Sequence, residues 1–186
     1  RVIVEFIKQL IADIVLIVPT THNDDRGYFV ETFKQNLFEK AIGCKVDFVQ
    51  DNESMSTKGI LRGLHYQLPP FAQAKLVRVV EGSVLDVAVD IRKNSPTFGQ
   101  HVAVELTGEN KHQLFIPRGF AHGFVVLSDS ATFSYKVDNY YSPEYDRGIA
   151  FNDAKLAINW QLSGEILRIS EKDRNLPCFD KKKSFF

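Results

Sequence analysis

The strongest constraint in this chain is a period-two alternation of apolar residues that breaks off and restarts at short intervals. In residues 75–80, Leu76 and Val80 fall on one side and Val77 and Val79 on the other. After the turn pair Glu81-Gly82, Leu85, Val87, Val89 and Ile91 share one face, and Asp86 and Asp90 take the opposite one. Val102, Val104 and Leu106 repeat the pattern ahead of a second turn signal, Gly108-Glu109-Asn110. This alternation puts successive side chains on opposite faces of a strand, and short strands separated by Gly, Asn and Pro predict an all-β sandwich or barrel. The expected architecture is a β-sandwich of jelly-roll type with a few short helices near the termini. One helix is predicted over Val30 to Ile42, where Phe33, Leu37, Phe38 and Ile42 form an apolar stripe and Gly43 supplies a stop. Residues 165–173 have the composition of a second.

No linker, repeat or low-complexity block divides the 186 residues, so 1–186 is read as one domain with its own core. Fifteen Phe and six Tyr against one Trp and one Met predict a stiff, closely packed interior. The 23 basic and 23 acidic side chains sum to zero, which argues against a generally basic nucleic-acid binder and against an acidic disordered tail. A local basic cluster remains compatible with that total. Lys181 to Lys183 reads as a solvated terminus. Cys44 and Cys178 lie far apart without CxxC spacing and are expected to be free thiols of a reducing compartment. The apolar start is interrupted by Glu5, Lys8, Gln9 and Asp13, so no run approaches the roughly 20 residues that span a bilayer. The chain is expected to be soluble and cytoplasmic, with neither membrane nor nucleic acid as a partner.

The histidines separate the chemistry from the scaffold. His22, His101 and His112 sit in turn-like or strand-edge settings. His65, in Leu61-Arg62-Gly63-Leu64-His65-Tyr66-Gln67, and His122, in Ile116 to Phe124, sit among apolar strand residues and glycines that permit close backbone approach. Pro117, Gly119 and His122 fit half of the cupin metal pattern, but the other half is His65-Tyr66-Gln67, with a Gln where a second His is needed. No carboxylate follows to complete a ligand set, so a cupin-like barrel without metal is expected. An unmetallated imidazole suits proton abstraction near neutral pH. Abstraction beside a carbonyl needs a cation or donor at the enolate oxygen, which Lys75 or a neighbour can supply. Inversion also needs an acid on the opposite face, and tyrosines for that role are available at 135, 140 and 141. Arg62 and His65 are three residues apart and face opposite ways on a regular strand. If both enter one site, Gly63 must bend or bulge the chain.

Read in order, several stretches together carry a family resemblance: Asp25 to Phe29, Phe48 to Asn52, Leu61 to His65, Lys75 to Arg78, Asp86 to Asp90, Arg92 to Gly99 and Ile116 to Phe124. Tyr135-Lys136, Tyr140 to Pro143, Asn152-Asp153 and Ser170 to Asp173 continue it. The chain resembles the nucleotide-sugar 3,5-epimerase family. The resemblance implies a cupin-like, homodimeric epimerase that needs no cofactor and no metal and acts in dTDP-L-rhamnose biosynthesis. Its dTDP-linked 4-keto-6-deoxy sugar would be dTDP-4-dehydro-6-deoxy-D-glucose, inverted at C3 and C5 to dTDP-4-dehydro-L-rhamnose. By the same resemblance His65 is the base, Asp173 the carboxylate that orients it, Tyr135 the acid and Lys75 the stabiliser of the enolate. Arg26, Glu31, Gln50, Asn52, Arg62, His122, Tyr141, Asp146 and Lys172 correspond to substrate contacts, some delivered across exchanged N-terminal strands of the dimer. His22 stands where an aromatic is common, Asp146 where some members carry Glu, and Ala74 where Gly is frequent. The rival readings are an epimerase acting at C3 alone or on another 4-keto nucleotide sugar, a non-catalytic cupin sugar-binding module, and a metal-dependent cupin oxygenase.

Overall fold

A computed structural model describes residues 4–183, 185 and 186. The chain runs β1 (Glu5–Lys8), β2 (Val15–Val18), β3 (Thr21–Asp24), β4 (Gly27–Val30), α1 (Gln35–Ile42), β5 (Gln50–Thr57), β6 (Ile60–Gln67), β7 (Lys75–Glu81) and β8 (Ser83–Asp90). It continues with β9 (His101–Thr107), β10 (Gln113–Ile116), β11 (Phe120–Val126), β12 (Ser130–Val137), β13 (Asp146–Gly148), β14 (Arg168–Ile169) and α2 (Glu171–Arg174). One sheet has the order β1-β2-β10-β7-β12-β5 and the other β13-β6-β11-β8-β9, with β14 also against β6. Strands β3 and β4 form a separate hairpin. The result is the expected all-β, cupin-like sandwich, antiparallel except where β14 runs parallel to β6.

Alternation assigns each apolar residue to one of three layers. Val77 and Val79 of β7, Val84 and Ala88 of β8, Phe120 and Phe124 of β11 and Phe133 of β12 fill the space between the sheets. The opposite faces of β8 and β11, carrying Leu85, Val87, Val89, Ala121 and Val125, are covered by Ile149, Leu156, Trp160, Phe179 and Phe185 from the C-terminal third. The outer face of the first sheet packs Val15, Ile17, Leu76 and Phe115 under Phe38 of α1. Both faces of the central strands are therefore dry, and each layer has its own group of aromatic rings. Phe38 alone has Phe33, Phe48 and Phe115 within 5.6 Å, centroid to centroid.

Two expectations about helices need correction. The first helix starts at Gln35 instead of Val30, because Val30 is the last residue of the hairpin and pairs with Thr21. Lys34, which precedes the helix, is extended and has no capping side chain, whereas Gly43 ends it as expected with φ of +76°. Residues 165–173 are not one helix either. Arg168 and Ile169 add to the free edge of β6 opposite Ile60 and Leu61, and a short α2 begins only after Ser170. An unfilled strand edge beside an apolar layer outweighs local helix propensity there.

The decisive irregularity is in β6. His65 lies opposite His122 of β11 and Arg62 opposite Phe124, so three steps on one strand match two on its neighbour. This β-bulge is the one that a shared role of Arg62 and His65 requires. Leu61 and Leu64 consequently both enter the outer layer, while Arg62 and His65 both line the cavity between the sheets. Gly63 has φ of +132°, and a Cβ there would lie 2.6 Å from Gly123 Cα and 2.8 Å from the His122 carbonyl oxygen. Gly63→Ala is therefore expected to cost about 2–3 kcal/mol of stability. A urea unfolding series comparing it with the parent chain measures the loss.

Candidate active site

The bulge exposes a backbone N–H that β6 cannot satisfy within its sheet, and the Asp173 carboxylate takes it. Gly63 N–H donates to Asp173 Oδ2 at 3.0 Å, and His65 Nε2 lies 2.7 Å from Asp173 Oδ1. Asp173 is held in turn by α2, where its own N–H donates to the Ser170 hydroxyl at 3.1 Å. Burial pushes the Asp173 carboxyl up, but the hydrogen bonds from His65 and Gly63 outweigh this and hold it below the usual carboxylate range. An ionised Asp173 accepts from Nε2–H, which leaves Nδ1 as the nitrogen of His65 able to take a proton.

His65 and Arg62 form one side of a cavity of about 630 Å³. The other sheet supplies the facing wall, with Tyr135 of β12, Asn52 of β5 and Lys75 of β7. Desolvation raises the Tyr135 phenol above its ordinary value, against opposing effects from Asn52 and Arg62, so it stays protonated at neutral pH. The Lys75 ammonium sits 5.9 Å from the centroid of the Tyr135 ring. Burial lowers Lys75 to about 8, with Asp86 and Asp146 pulling in the other direction.

His122 lies deeper, with Nε2 2.7 Å from Asp86 Oδ1. Desolvation pulls the imidazole below its ordinary value despite Asp86, so His122 is neutral at the cavity wall. Asp86 was not among the candidates from sequence. The available signal was a carboxylate between Val84 and Ala88, on a strand with apolar residues on both faces, where it must find a partner. Ser56, which accepts from Arg62 Nε and Nη2 at 3.2 and 3.1 Å, and Ser170 gave no comparable signal.

The remaining candidates divide into two groups. Lys172 lines the cavity and donates to Asp146 Oδ2 at 2.7 Å. Gln50 donates to Asn52 Oδ1 at 2.9 Å and accepts from Tyr141 N–H at 3.2 Å, which ties the 140–142 segment to the rim. Arg26 and Glu31 are elsewhere. Arg26 is exposed at the hairpin tip and bonded to Asp24, and Glu31 pairs with Lys34 at 3.3 Å beside α1. Gln67, in the position where a metal-binding cupin has a ligand, is used structurally. Its amide donates to the carbonyls of Phe71 and Tyr140 and accepts from Ser142 N–H. The Nε2 atoms of His65 and His122 each face a carboxylate, so these three side chains do not converge as a ligand set.

A sequence model of the family described as dTDP-4-dehydrorhamnose 3,5-epimerase matches residues 8–181. The chain belongs to this family. It is 57% identical over 169 residues to a dTDP-4-dehydrorhamnose 3,5-epimerase of Shigella flexneri, covering 91% of this chain and 92% of that one. Among solved structures it resembles the dTDP-4-dehydrorhamnose 3,5-epimerase of Elizabethkingia anophelis NUHP1, with a TM-score of 0.93, 49% identity and coverage of 98% and 99% of the two chains. It also resembles a dTDP-6-deoxy-D-glucose-3,5-epimerase of Legionella pneumophila Philadelphia 1 in complex with dTDP-4-keto-L-rhamnose. There the TM-score is 0.91 and the identity 50%, covering 94% of this chain and 92% of the other.

The low pKa of Lys75 gives a test of its charge. Turnover should decline as pH rises through about 8, where the ammonium loses its proton. Lys75→Arg keeps its charge at that pH and should abolish the decline while lowering turnover about 10-fold or more through altered geometry. Profiles of kcat against pH for both chains check this.

Proposed function

We propose that this chain inverts C3 and C5 of dTDP-4-dehydro-6-deoxy-D-glucose to give dTDP-4-dehydro-L-rhamnose, without a cofactor. The observation that carries this reading is the position of the candidate base and acid. His65 comes from one sheet and Tyr135 from the other, and both face the same cavity. Inversion needs a proton removed from one face of the sugar and returned to the other, so a base and an acid on opposing walls suit it. The 4-keto group makes the hydrogens on both neighbouring carbons acidic, so one base and one acid can serve C3 and C5 in turn.

In each half-reaction the bare Nδ1 of His65 takes the proton from carbon. The C–H electron pair forms the C=C bond, and the carbonyl π pair moves onto O4. Lys75 supplies positive charge to that oxygen as it becomes an enolate, at a place where low dielectric strengthens the interaction. Asp173 stabilises the imidazolium that results. Tyr135 then donates its phenolic proton to the opposite face of the carbon as the carbonyl re-forms. Return of the His65 proton and reprotonation of the phenolate through solvent complete the cycle. Arg62 and Lys172 suit the diphosphate, Gln50 and Asn52 its polar surroundings, and Tyr141, 55% exposed at the rim, offers a ring to the nucleobase.

Arg26 and Glu31 complete the reading only in a homodimer. The hairpin that carries Arg26 holds Tyr28 and Phe29 at 59% and 62% exposure, apolar surface suited to a second copy. In such a dimer the hairpin of one copy would bring Arg26 and Glu31 to the cavity of the other.

The test is turnover in D₂O followed by NMR of the product. Deuterium at both C3 and C5 is the expected result; label at C3 alone would restrict the activity to one centre, and no label would refute the epimerase reading. His65→Ala should lose at least about 10²–10⁴-fold in turnover while dTDP binding, measured by calorimetry, stays nearly unchanged. Tyr135→Phe should permit wash-in of deuterium from the His65 side but yield little inverted product. A variant giving normal product would move the acid role to another residue.

A further inference from the structure

Among the described residues, Asp86 Oδ2 is the buried side-chain oxygen with no hydrogen-bond partner. The carboxylate is fully buried, and an unpaired oxygen in such a place is costly unless something near it compensates. Its other oxygen faces His122 Nε2 at 2.7 Å. The inward faces of three strands gather here: Lys75 shares the side of β7 that carries Val77 and Val79, Asp86 the side of β8 that carries Val84 and Ala88, and His122 the side of β11 that carries Phe120 and Phe124. Lys75 and His122 line the cavity, whereas Asp86 lies behind them and does not.

We propose that Asp86 is a positioning residue for the epimerisation, with Oδ1 fixing the tautomer of His122 and Oδ2 holding the Lys75 ammonium charged toward the enolate oxygen. With Nε2–H committed to Asp86, neutral His122 turns an acceptor nitrogen to its surroundings. It therefore does not compete with Lys75 as a second cation. The attraction between Lys75 and Asp86 offsets part of the desolvation that lowers the lysine to about 8. Other charged groups face Lys75 from every side of the cavity. Asp146 of β13 adds negative charge, Arg62 of β6 and Lys172 of α2 add positive charge, and His65, Tyr135 and Glu53 also line the cavity, with Asp173 paired to His65. Asp86 differs from these acids in having a fully buried oxygen that no hydrogen bond occupies.

The role rests on the proposed reaction, and two readouts keep the two ideas apart. Asp86→Asn keeps the shape and an acceptor for His122 but removes the charge, and Asp86→Ser removes it with a smaller side chain should D86N not fold. The loss of a negative neighbour disfavours the ammonium, so the fall of kcat on the alkaline side should move down by about one pH unit. At the optimum kcat should drop about 10- to 100-fold, with KM changed much less. Independently of turnover, NMR of ¹³Cε-lysine-labelled, ligand-free protein, assigned with K75R, should show the Lys75 midpoint moving down in the same variants. Asp86→Glu retains the charge and should restore the midpoint even if kcat stays low. A midpoint unmoved by D86N or D86S, or moved equally by D86E, would reduce Asp86 to a packing role and overturn the proposal. A parent chain that turns over no dTDP-4-keto sugar would instead count against the function, leaving the midpoint comparison to decide the role of Asp86 toward Lys75.

Discussion

The site depends on one carboxylate bound at both oxygens. Asp173 accepts the backbone N–H that the β6 bulge strands and, with its second oxygen, faces His65. Without a partner for that N–H the bulge would bury an unsatisfied donor, and without the bulge Arg62 and His65 would point to opposite sides of the sheet. The interaction that makes the backbone irregularity tolerable is thus the one that selects the tautomer of His65. It joins residues 110 positions apart, and the short α2 places Asp173 through the Ser170 cap.

Around this bridge the scaffold is rigid because it has three apolar layers instead of one. The central strands bury side chains on both faces, and the C-terminal third and α1 close the two outer layers. The surplus of Phe is spread over all three, as in the stack of Phe124 on Phe133 between the sheets and of Phe179 on Phe185 outside them. Rings packed this way leave little freedom at the base of the cavity, where Phe124 and Phe133 lie beside the polar groups. His65 and Tyr135 stand on two separate sheets, and such stiffness keeps their spacing constant.

The neutral total charge conceals an uneven arrangement. Arg62, Lys75 and Lys172 meet in one cavity, while the acids nearest to them are engaged: Asp173 with His65, Asp86 with His122 and Asp146 with Lys172. Each of these acids faces a basic or imidazole side chain, whereas Arg62 donates to the neutral Ser56 hydroxyl. Much of this was legible in the sequence. The alternation marked the strands, Arg62 and His65 could share a site only if the chain bulged at Gly63, and the family resemblance named Tyr135, Lys75 and Asp173. Asp86 went unassigned because its partner His122 is 36 residues away and only strand pairing brings them together. The apolar stripe overruns the first helix because spacing over residues 30–34 fits equally an extended segment packing Phe33 against Phe38 and Phe48.

What the sequence determined by itself is the class of fold and the kinds of chemistry available. Period-two patterning leaves few alternatives to stacked sheets, and the family motifs confine the reactive groups to a handful of positions. Only the tertiary structure decided which of those groups share a cavity. It placed His65 and Tyr135 on opposing walls, put Asp86 behind Lys75 and His122, and left Arg26 and Glu31 on the hairpin side, away from the cavity of their own chain. The physical reason is that local pattern reports which face of a strand a residue occupies. Strand order, bulge register and partner distance arise from pairings between segments far apart in the chain.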